Sequence, residues 1–344
     1  MLLCPNITAR YSYARIQRIL TILQTQNVND EKYREALDIV GLRKEHLIYP
    51  IIVQGREKQM EQINTMPGMA KIPLTKLVQY IQMVIDGGIS SIILFGIPEI
   101  REEIGYSAAH KYGIVQQALR IIKKNFGNTI NIITDVCTCQ YNLSGHCGLV
   151  VKNKVDNDAT LHILSKIALS HAEAGADIVA PSSMMDGEVY SIRKSLDKHG
   201  FQKIKILPYS VKHFSSLYIP FRAAAFSAAS DDHRIDKSSY QIAYANPKQA
   251  LREIEADINE GADMVMIKPG LIYLDLIYMI KEKFGFPIVV QNVSGEYSMI
   301  KAAAAHRWIE EEDWKIISLA SIKRSGADRI ISYFSMDIAK YLDH

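Results

Sequence analysis

Ala174-Gly175-Ala176-Asp177-Ile178-Val179-Ala180-Pro181 is the stretch on which the fold turns. A helical pattern ends at Ala174. The glycine that follows accepts the left-handed conformation that closes a helix, and a short β-branched run starts at once. The signature returns at Glu260-Gly261-Ala262-Asp263 before Met264-Val265-Met266-Ile267, and at Ser325-Gly326-Ala327-Asp328 before Ile330-Ile331-Ser332. Asp86-Gly87-Gly88 plays a similar part. The runs are apolar without alternation, the pattern of strands buried on both faces of a parallel sheet. Eight of them begin near Ile48, Ile92, Ile130, Ile178, Ile204, Met264, Ile288 and Ile330. Helical patterns lie between them, among others over 74–85, 108–124, 159–174, 248–259 and 314–323. Strand and helix alternating in this way predict an α/β chain folded as a (β/α)₈ TIM barrel. The usual length of about 250 residues leaves room for an N-terminal extension and long loops. A doubly wound open sheet is the alternative, but no Gly-x-Gly-x-x-Gly turn follows the first strand.

The composition narrows the function classes. The chain has 344 residues and a formal charge of +3, without a basic block that would suit nucleic acid. No apolar run reaches the length of a membrane span. Four cysteines do not make a disulfide framework, which fits a reducing compartment. Arg10, Arg15 and Arg18 precede the first acidic residue, Asp30. That bias is compatible with an organelle transit peptide. The helical spacing of Ile16, Ile19, Leu20 and Leu23 favours an amphipathic arm, and a cytoplasmic location is the expectation, with an organelle left open.

Three of the cysteines stand together in Asp135-Val136-Cys137-Thr138-Cys139-Gln140-Tyr141-Asn142-Leu143-Ser144-Gly145-His146-Cys147. A short loop can fold three thiolates around one soft metal ion, with zinc the first choice. Three protein ligands suggest an open, working site; His146 or Cys4 as a fourth ligand, or plainly buried thiols, are the alternatives.

In such a barrel, chemistry sits where strands end. Asp135 follows the third strand, Ser182 the fourth, Lys212 the fifth, Ser294 the seventh and Tyr333 the eighth, while Lys268 ends the sixth. A lysine closing a buried apolar strand is costly unless paired or used. Desolvation and a second nearby cation both lower its pKa and free the amine as a nucleophile. Lys212 and Lys268 lie on adjacent strands, which suits imine formation with a ketone. Arg222 offers a bidentate clamp for a carboxylate, or is a surface cation. The polar stretch 227–239 reads as a mobile lid or as a functionless excursion.

With these residues in view, the chain closely resembles the porphobilinogen synthase (5-aminolevulinate dehydratase) family, of zinc-cysteine type. The resemblance runs from Leu47-Ile48-Tyr49-Pro50 to Ser332-Tyr333-Phe334. It rests on Met66-Pro67-Gly68-Met69-Ala70, the cysteine loop, Met184-Met185-Asp186-Gly187, Pro220-Phe221-Arg222, Lys268-Pro269-Gly270 and Val293-Ser294-Gly295-Glu296-Tyr297. It implies a hydro-lyase of haem and tetrapyrrole biosynthesis that condenses two molecules of 5-aminolevulinate to porphobilinogen. Lys268 matches the lysine that holds the first substrate as a Schiff base and Lys212 the one that engages the second. Cys137, Cys139 and Cys147 match zinc ligands, the metal acting as a Lewis acid on the second substrate. Asp135 and Ser182 match polar active-site positions. Arg222, Gln241, Ser294 and Tyr333 match substrate-carboxylate contacts, with Lys237 or Arg234 supplying a lid cation. Tyr218 and Phe221 match pocket walls, and Glu253 a position that binds allosteric magnesium in some members. The resemblance further implies a homo-octamer assembled through an N-terminal arm over residues 1–40, with the catalytic barrel over 41–344; the balanced charge and short apolar runs lead to the expectation of neither a nucleic-acid nor a membrane partner.

Several positions depart from the family pattern: Ala223, Gln291, Ser183, Gly105-Tyr106, Ser238 and a longer lid. They are expected to cluster around the substrate carboxylates rather than the lysines or the metal. A lysine in place of a lid arginine loses the planar fork. The competing readings are a silent, metal-bound oligomeric scaffold and a Schiff-base barrel acting on another amino ketone. Both lysines and all three cysteines argue for the enzyme.

Overall fold

The computed structural model describes residues 26–55, 59–225 and 236–342. Eight parallel strands form its centre: β1 (Leu47–Gln54), β2 (Ser91–Ile97), β3 (Asn131–Val136), β4 (Ile178–Pro181), β5 (Lys205–Ile206 and Val211–Lys212), β6 (Val265–Lys268), β7 (Ile288–Asn292) and β8 (Arg329–Ser332). The hydrogen-bonded order runs from the second part of β5 through β6, β7, β8, β1, β2, β3 and β4 to the first part of β5. The sheet therefore closes on itself through β5. Closure continues across the break: Leu207 N donates to Val179 O at 2.9 Å and Tyr209 N to Pro181 O at 2.9 Å, while Met266 N donates to Pro208 O at 2.9 Å. Pro208 has no N–H of its own, which interrupts the ladder without opening the barrel. The expected TIM barrel is the fold. All eight residues of β1 are buried, as a strand covered on both faces requires.

The recurring Gly-Ala-Asp signature locks strands in pairs at one end of the barrel. Asp177 accepts the Ile132 N–H through Oδ2 at 2.8 Å, and its own N–H reaches Ile132 O at 3.0 Å. Asp263 treats Ile206 in the same way, at 2.9 and 3.0 Å, and Asp328 treats Ile288, at 2.7 and 2.9 Å. Thus β4 clasps β3, β6 clasps β5, and β8 clasps β7. Gly175, Gly261 and Gly326 all have φ above +100°, so each allows the chain to leave its helix and enter the strand. Lys123 and Lys281 pair with Asp177 and Asp328 at 2.8 Å, tying the preceding helices to the same clasps.

One expectation changes. The helix expected over 108–124 divides into a 3₁₀ turn, Tyr106–Ala109, and a helix, Ile114–Phe126. Gly113 caps the second piece, where a Cβ would lie 2.3 Å from Gln116 Oε1. The second half of the expected arm is a helix, Gln26–Ile39, that packs on the barrel's own outer layer. Leu37 is fully buried, and Tyr33 donates to Asp313 at 2.7 Å. Cys4, Arg10, Arg15, Ile16, Arg18, Ile19, Leu20 and Leu23 lie outside the described residues, as does Arg234 with most of the expected lid. No helix among the described residues is long and apolar enough to cross a membrane.

Candidate active site

Lys212 and Lys268 end β5 and β6 as direct register partners. Both are buried, and one cavity at this end of the barrel is lined by both. Asp135, Cys139, Cys147, Ser182, Tyr218, Phe221, Arg222, Lys237 and Gln241 line the same cavity, with Phe95 and Gln140. The strands fix these positions: Asp135 sits at the end of β3 opposite Ala180 of β4. The segments after β4 and β5 bring Ser182 and the Tyr218–Arg222 wall.

The two lysines are electrostatically unlike. Burial, then the neighbouring Lys212 cation, pushes Lys268 down from 10.5 to about 7, against the opposing pull of Asp135. Burial also works against the charge of Lys212, but Cys147, Cys137, Cys139 and Asp135 outweigh it and hold the ammonium above its ordinary value. Lys212 Nζ donates to Ser182 O and lies 4.0 Å from Cys147 Sγ. Lys268 Nζ lies over the rings of Tyr209 and Tyr218, at 5.0 and 5.1 Å. Burial raises the Asp135 carboxyl, with Ser182, Gln140 and the lysines acting against the rise; Gln140 Nε2 donates to its Oδ2 at 3.0 Å.

The sulfurs of Cys137, Cys139 and Cys147 all lie within 4.8 Å of one another and are buried. Around a tetrahedral zinc with Zn–S near 2.3 Å, sulfurs stand about 3.8 Å apart, a spacing that the trio brackets, so its donor set fits such an ion. A soft, all-thiolate donor set favours zinc over magnesium. Cys147 is the thiol held lowest, because the S–H groups of Cys137 and Cys139 donate to it; those two are raised in turn. Thr138 and Asn142 brace the loop: Thr138 Oγ1 donates to Cys147 O at 3.0 Å, and Asn142 Nδ2 to His146 O at 2.8 Å. His146, the alternative fourth ligand, stands outside the sulfur cluster and meets the Tyr240 hydroxyl at 3.1 Å through Nδ1.

Arg222 lies with its guanidinium 5.3 Å from the Tyr218 ring centroid, at the cavity wall. Lys237 is buried and lines the cavity, so of the two lid candidates it is the one the described residues bring to the site. The buried Gln241 Oε1 has no hydrogen-bond partner among the described residues and is open as an acceptor to a ligand.

Three sequence-expected residues stand apart. Ser294 lies behind the wall: its Oγ accepts the Phe221 N–H at 3.2 Å and donates to Leu217 O at 3.2 Å. Tyr333 is buried beside Tyr297, ring centroids 5.6 Å apart. Glu253 belongs to a separate, acidic cavity with Asp186, Glu188 and Asp257.

The departures from the family pattern do not gather where they were expected. Among the described ones, none lines the cavity. Ala223 faces solvent, Gln291 is buried in β7, and Ser183 Oγ lies 3.6 Å from Cys137 Sγ, donating to a sulfur of the cysteine cluster.

Sequence reasoning missed Tyr209, whose ring both lysines share, and Tyr240, whose hydroxyl meets His146 and accepts the Cys147 N–H at 3.3 Å. Aromatic residues in an apolar strand or a polar loop carry no local signal for either role.

A profile of the family described as delta-aminolevulinic acid dehydratase matches residues 23–341. The protein of that name from Methanothermus sociabilis is 44% identical over 333 residues, covering 96% of this chain and 99% of its own. Its namesake from Staphylococcus epidermidis is 47% identical over 312 residues, 90% of this chain and 95% of the other. The crystal structure of delta-aminolevulinic acid dehydratase (porphobilinogen synthase) from Toxoplasma gondii, in complex with the reaction product porphobilinogen, superposes with a TM-score of 0.85 at 38% identity, covering 92% of this chain and 91% of that one.

Proposed function

The chain belongs to the delta-aminolevulinic acid dehydratase family and condenses two molecules of 5-aminolevulinate to porphobilinogen with loss of water, and we propose that it does so through imines on Lys268 and Lys212 beside a zinc ion held by Cys137, Cys139 and Cys147. One observation carries this reading: two buried lysines, paired in register, open into a cavity that two of the three clustered cysteines also line.

Lys268 captures the first substrate. A pKa brought down to about 7 gives it a large share of free amine near neutral pH; that amine attacks the keto carbon, and the carbonyl oxygen leaves as water once two protons have been delivered to it. Lys212 engages the second substrate on the cysteine side of the cavity. Asp135, buried and raised, holds or releases a proton beside both lysines. Arg222, Lys237 and the Gln241 amide receive substrate carboxylates, and Tyr218 and Phe221 exclude water around the first imine. Ser182 bonds Asp135 and presents its carbonyl to Lys212. Bound zinc supplies Lewis acidity to the polar groups of the second substrate. Ser294 and Tyr333 stay assigned, on the family resemblance, to a substrate carboxylate, with Ser294 also bracing the Phe221 wall.

Two finer assignments rest on the family resemblance, a homo-octamer joined through an N-terminal arm over residues 1–40 and magnesium at Glu253; a cytoplasmic location, with an organelle left open, rests on the cysteine usage. For magnesium, the hard oxygens of the Glu253 cavity are the appropriate donors.

The experiment is porphobilinogen formation from 5-aminolevulinate by the purified protein, before and after chelation and with zinc restored. Chelator-sensitive turnover rescued by zinc supports the reading. Turnover indifferent to chelation removes the metal from it, and no turnover with zinc bound removes the reaction.

A further inference from the structure

Glu296 is completely buried in the first turn of the helix Ser294–Ala305. It touches neither lysine, yet it gathers the ends of two strands. Its Oε1 accepts the Leu271 N–H at 2.6 Å, and its Oε2 accepts the Val293 N–H at 2.6 Å, the Asn292 amide at 3.2 Å and, more loosely, the Gly270 N–H at 3.5 Å. Leu271 and Gly270 stand three and two residues beyond Lys268. Burial lifts the carboxyl to about 7 even with these donors in place, so the group is held there against its own solvation preference.

The same helical turn also fixes the cavity wall. Ser294 Oγ accepts the Phe221 N–H, and Gly295 sits so close that a Cβ there would lie 2.5 Å from Leu217 Cα and O. On its far side, Asn292 Oδ1 accepts from Ser332 Oγ at 2.9 Å, which in turn accepts the Phe334 N–H at 3.1 Å. One turn of helix thus joins the segments after β5, β6, β7 and β8, with the Glu296 carboxylate as its link to the Lys268 segment.

We propose that Glu296 is the positioning residue for Lys268: its carboxylate holds the segment just beyond the lysine, and so sets where the amine meets the substrate carbonyl. The inference rests on Lys268 being the imine lysine. Misplacement of a reacting group by about 1 Å costs about a hundredfold in rate. An amide at this position presents an NH₂ to one of two backbone N–H donors, so the segment must move away on that side.

The test is the rate of borohydride trapping of 5-aminolevulinate on Lys268 and Lys212, read peptide by peptide by mass spectrometry, in the zinc-loaded full-length protein. Glu296→Gln is expected to slow adduct formation on Lys268 by about 10- to 100-fold while the Lys212 adduct and zinc content stay near wild type. Glu296→Asp, which keeps the charge, is expected to restore part of the loss. Ser332→Ala interrupts the same buried chain one step further from Lys268 and is expected to lower the melting temperature without slowing Lys268 trapping. Wild-type trapping in Glu296→Gln overturns the proposal, and so does parallel loss on both lysines. Should Glu296→Gln not fold, Glu296→Asp decides alone: its retracted carboxylate must slow the Lys268 adduct selectively, and an unchanged rate overturns the proposal. Absence of any Lys268 adduct in the wild type refutes the imine reading itself, and this inference with it.

Discussion

Lys212 and Lys268 face each other across neighbouring strands, and both ammonium groups lie over the Tyr209 ring, at 5.6 and 5.0 Å. Two cations so placed oppose each other's charge, yet the environment resolves the conflict unevenly. Thiols and Asp135 support the charge of Lys212, whereas Lys268 has mainly aromatic rings around it. An aromatic face offers a cation less than a carboxylate does. The pair therefore supplies one amine ready for attack and one charged partner at the same pH.

Capture of substrate on Lys268 should rise with pH through about 7, since only the unprotonated amine attacks. Lys212 is the second cause of that low value after burial, and its positive charge destabilises the protonated form of Lys268. Lys212→Ala should consequently move the midpoint of Lys268 trapping upward, towards the ordinary lysine value. The check is the pH profile of borohydride trapping on the Lys268 peptide; a midpoint that stays put, or falls, contradicts the coupling.

Turnover should fall by at least about 10³-fold in Lys268→Ala and in Lys212→Ala, a loss of about 4 kcal/mol of transition-state stabilisation. The two losses should not add in the double variant, because the lysines serve one bond-forming sequence. Steady-state porphobilinogen formation measures this. Residual activity within tenfold of wild type in either single variant would sink the double-imine account.

The strand clasps make a prediction about stability alone. Asp177→Ala leaves the buried Ile132 N–H without its side-chain acceptor, at a cost of about 2 kcal/mol. The Lys123 ion pair is partly exposed and adds little. Asp177 lies at the opposite end of the barrel from the lysines, so porphobilinogen formation at room temperature should remain within about twofold of wild type. Urea unfolding and activity assays together test this; activity lost without any loss of stability would be the wrong pattern.

Much of this was legible in the chain because it is local or periodic. The Gly-Ala-Asp signature announces a helix end and a strand start, whereas the clasps that Asp177, Asp263 and Asp328 make on the preceding strands show only in the fold. Lysines at the ends of apolar runs stand out by their cost. What stayed hidden is what depends on distant partners. Glu296 reads as an ordinary acid in a helix's first turn until Gly270 and Leu271 are folded against it. Tyr209 reads as strand filler until β6 sets Lys268 beside it. Ser183 looked like a change at a substrate contact, but its hydroxyl points at Cys137. The break at Gly113 was missed because the surrounding residues keep helical spacing on both sides of it.

Arg222→Lys should raise KM about tenfold and leave kcat less affected. The guanidinium presents a planar fork to a carboxylate and stacks near Tyr218, whereas an ammonium offers a point charge. Contacts made equally in the ground and transition states act on KM. Steady-state kinetics over a wide range of 5-aminolevulinate concentration separate the two constants. A fall in kcat at unchanged KM would instead move Arg222 from substrate binding to the chemical step.

Cys139→Ala should reduce bound zinc from about one ion per chain to well below half at micromolar free metal, since two thiolates do not make a tight zinc site. Metal analysis after gel filtration reads this directly, without depending on activity. Metal that binds the folded form also stabilises it, by RT ln(1 + [L]/Kd), which is about 2.7 kcal/mol at a hundredfold excess over Kd. Chelation should therefore lower the melting temperature of the wild type and leave that of Cys139→Ala unchanged. The contrast matters because Cys139 lines the cavity while Cys137 stands behind it against Ser183. Removal of either should release the ion, but Ser183→Ala should only weaken it, by the loss of one donor to sulfur. Full zinc occupancy in Cys139→Ala would mean that the ion is held by a different set of ligands.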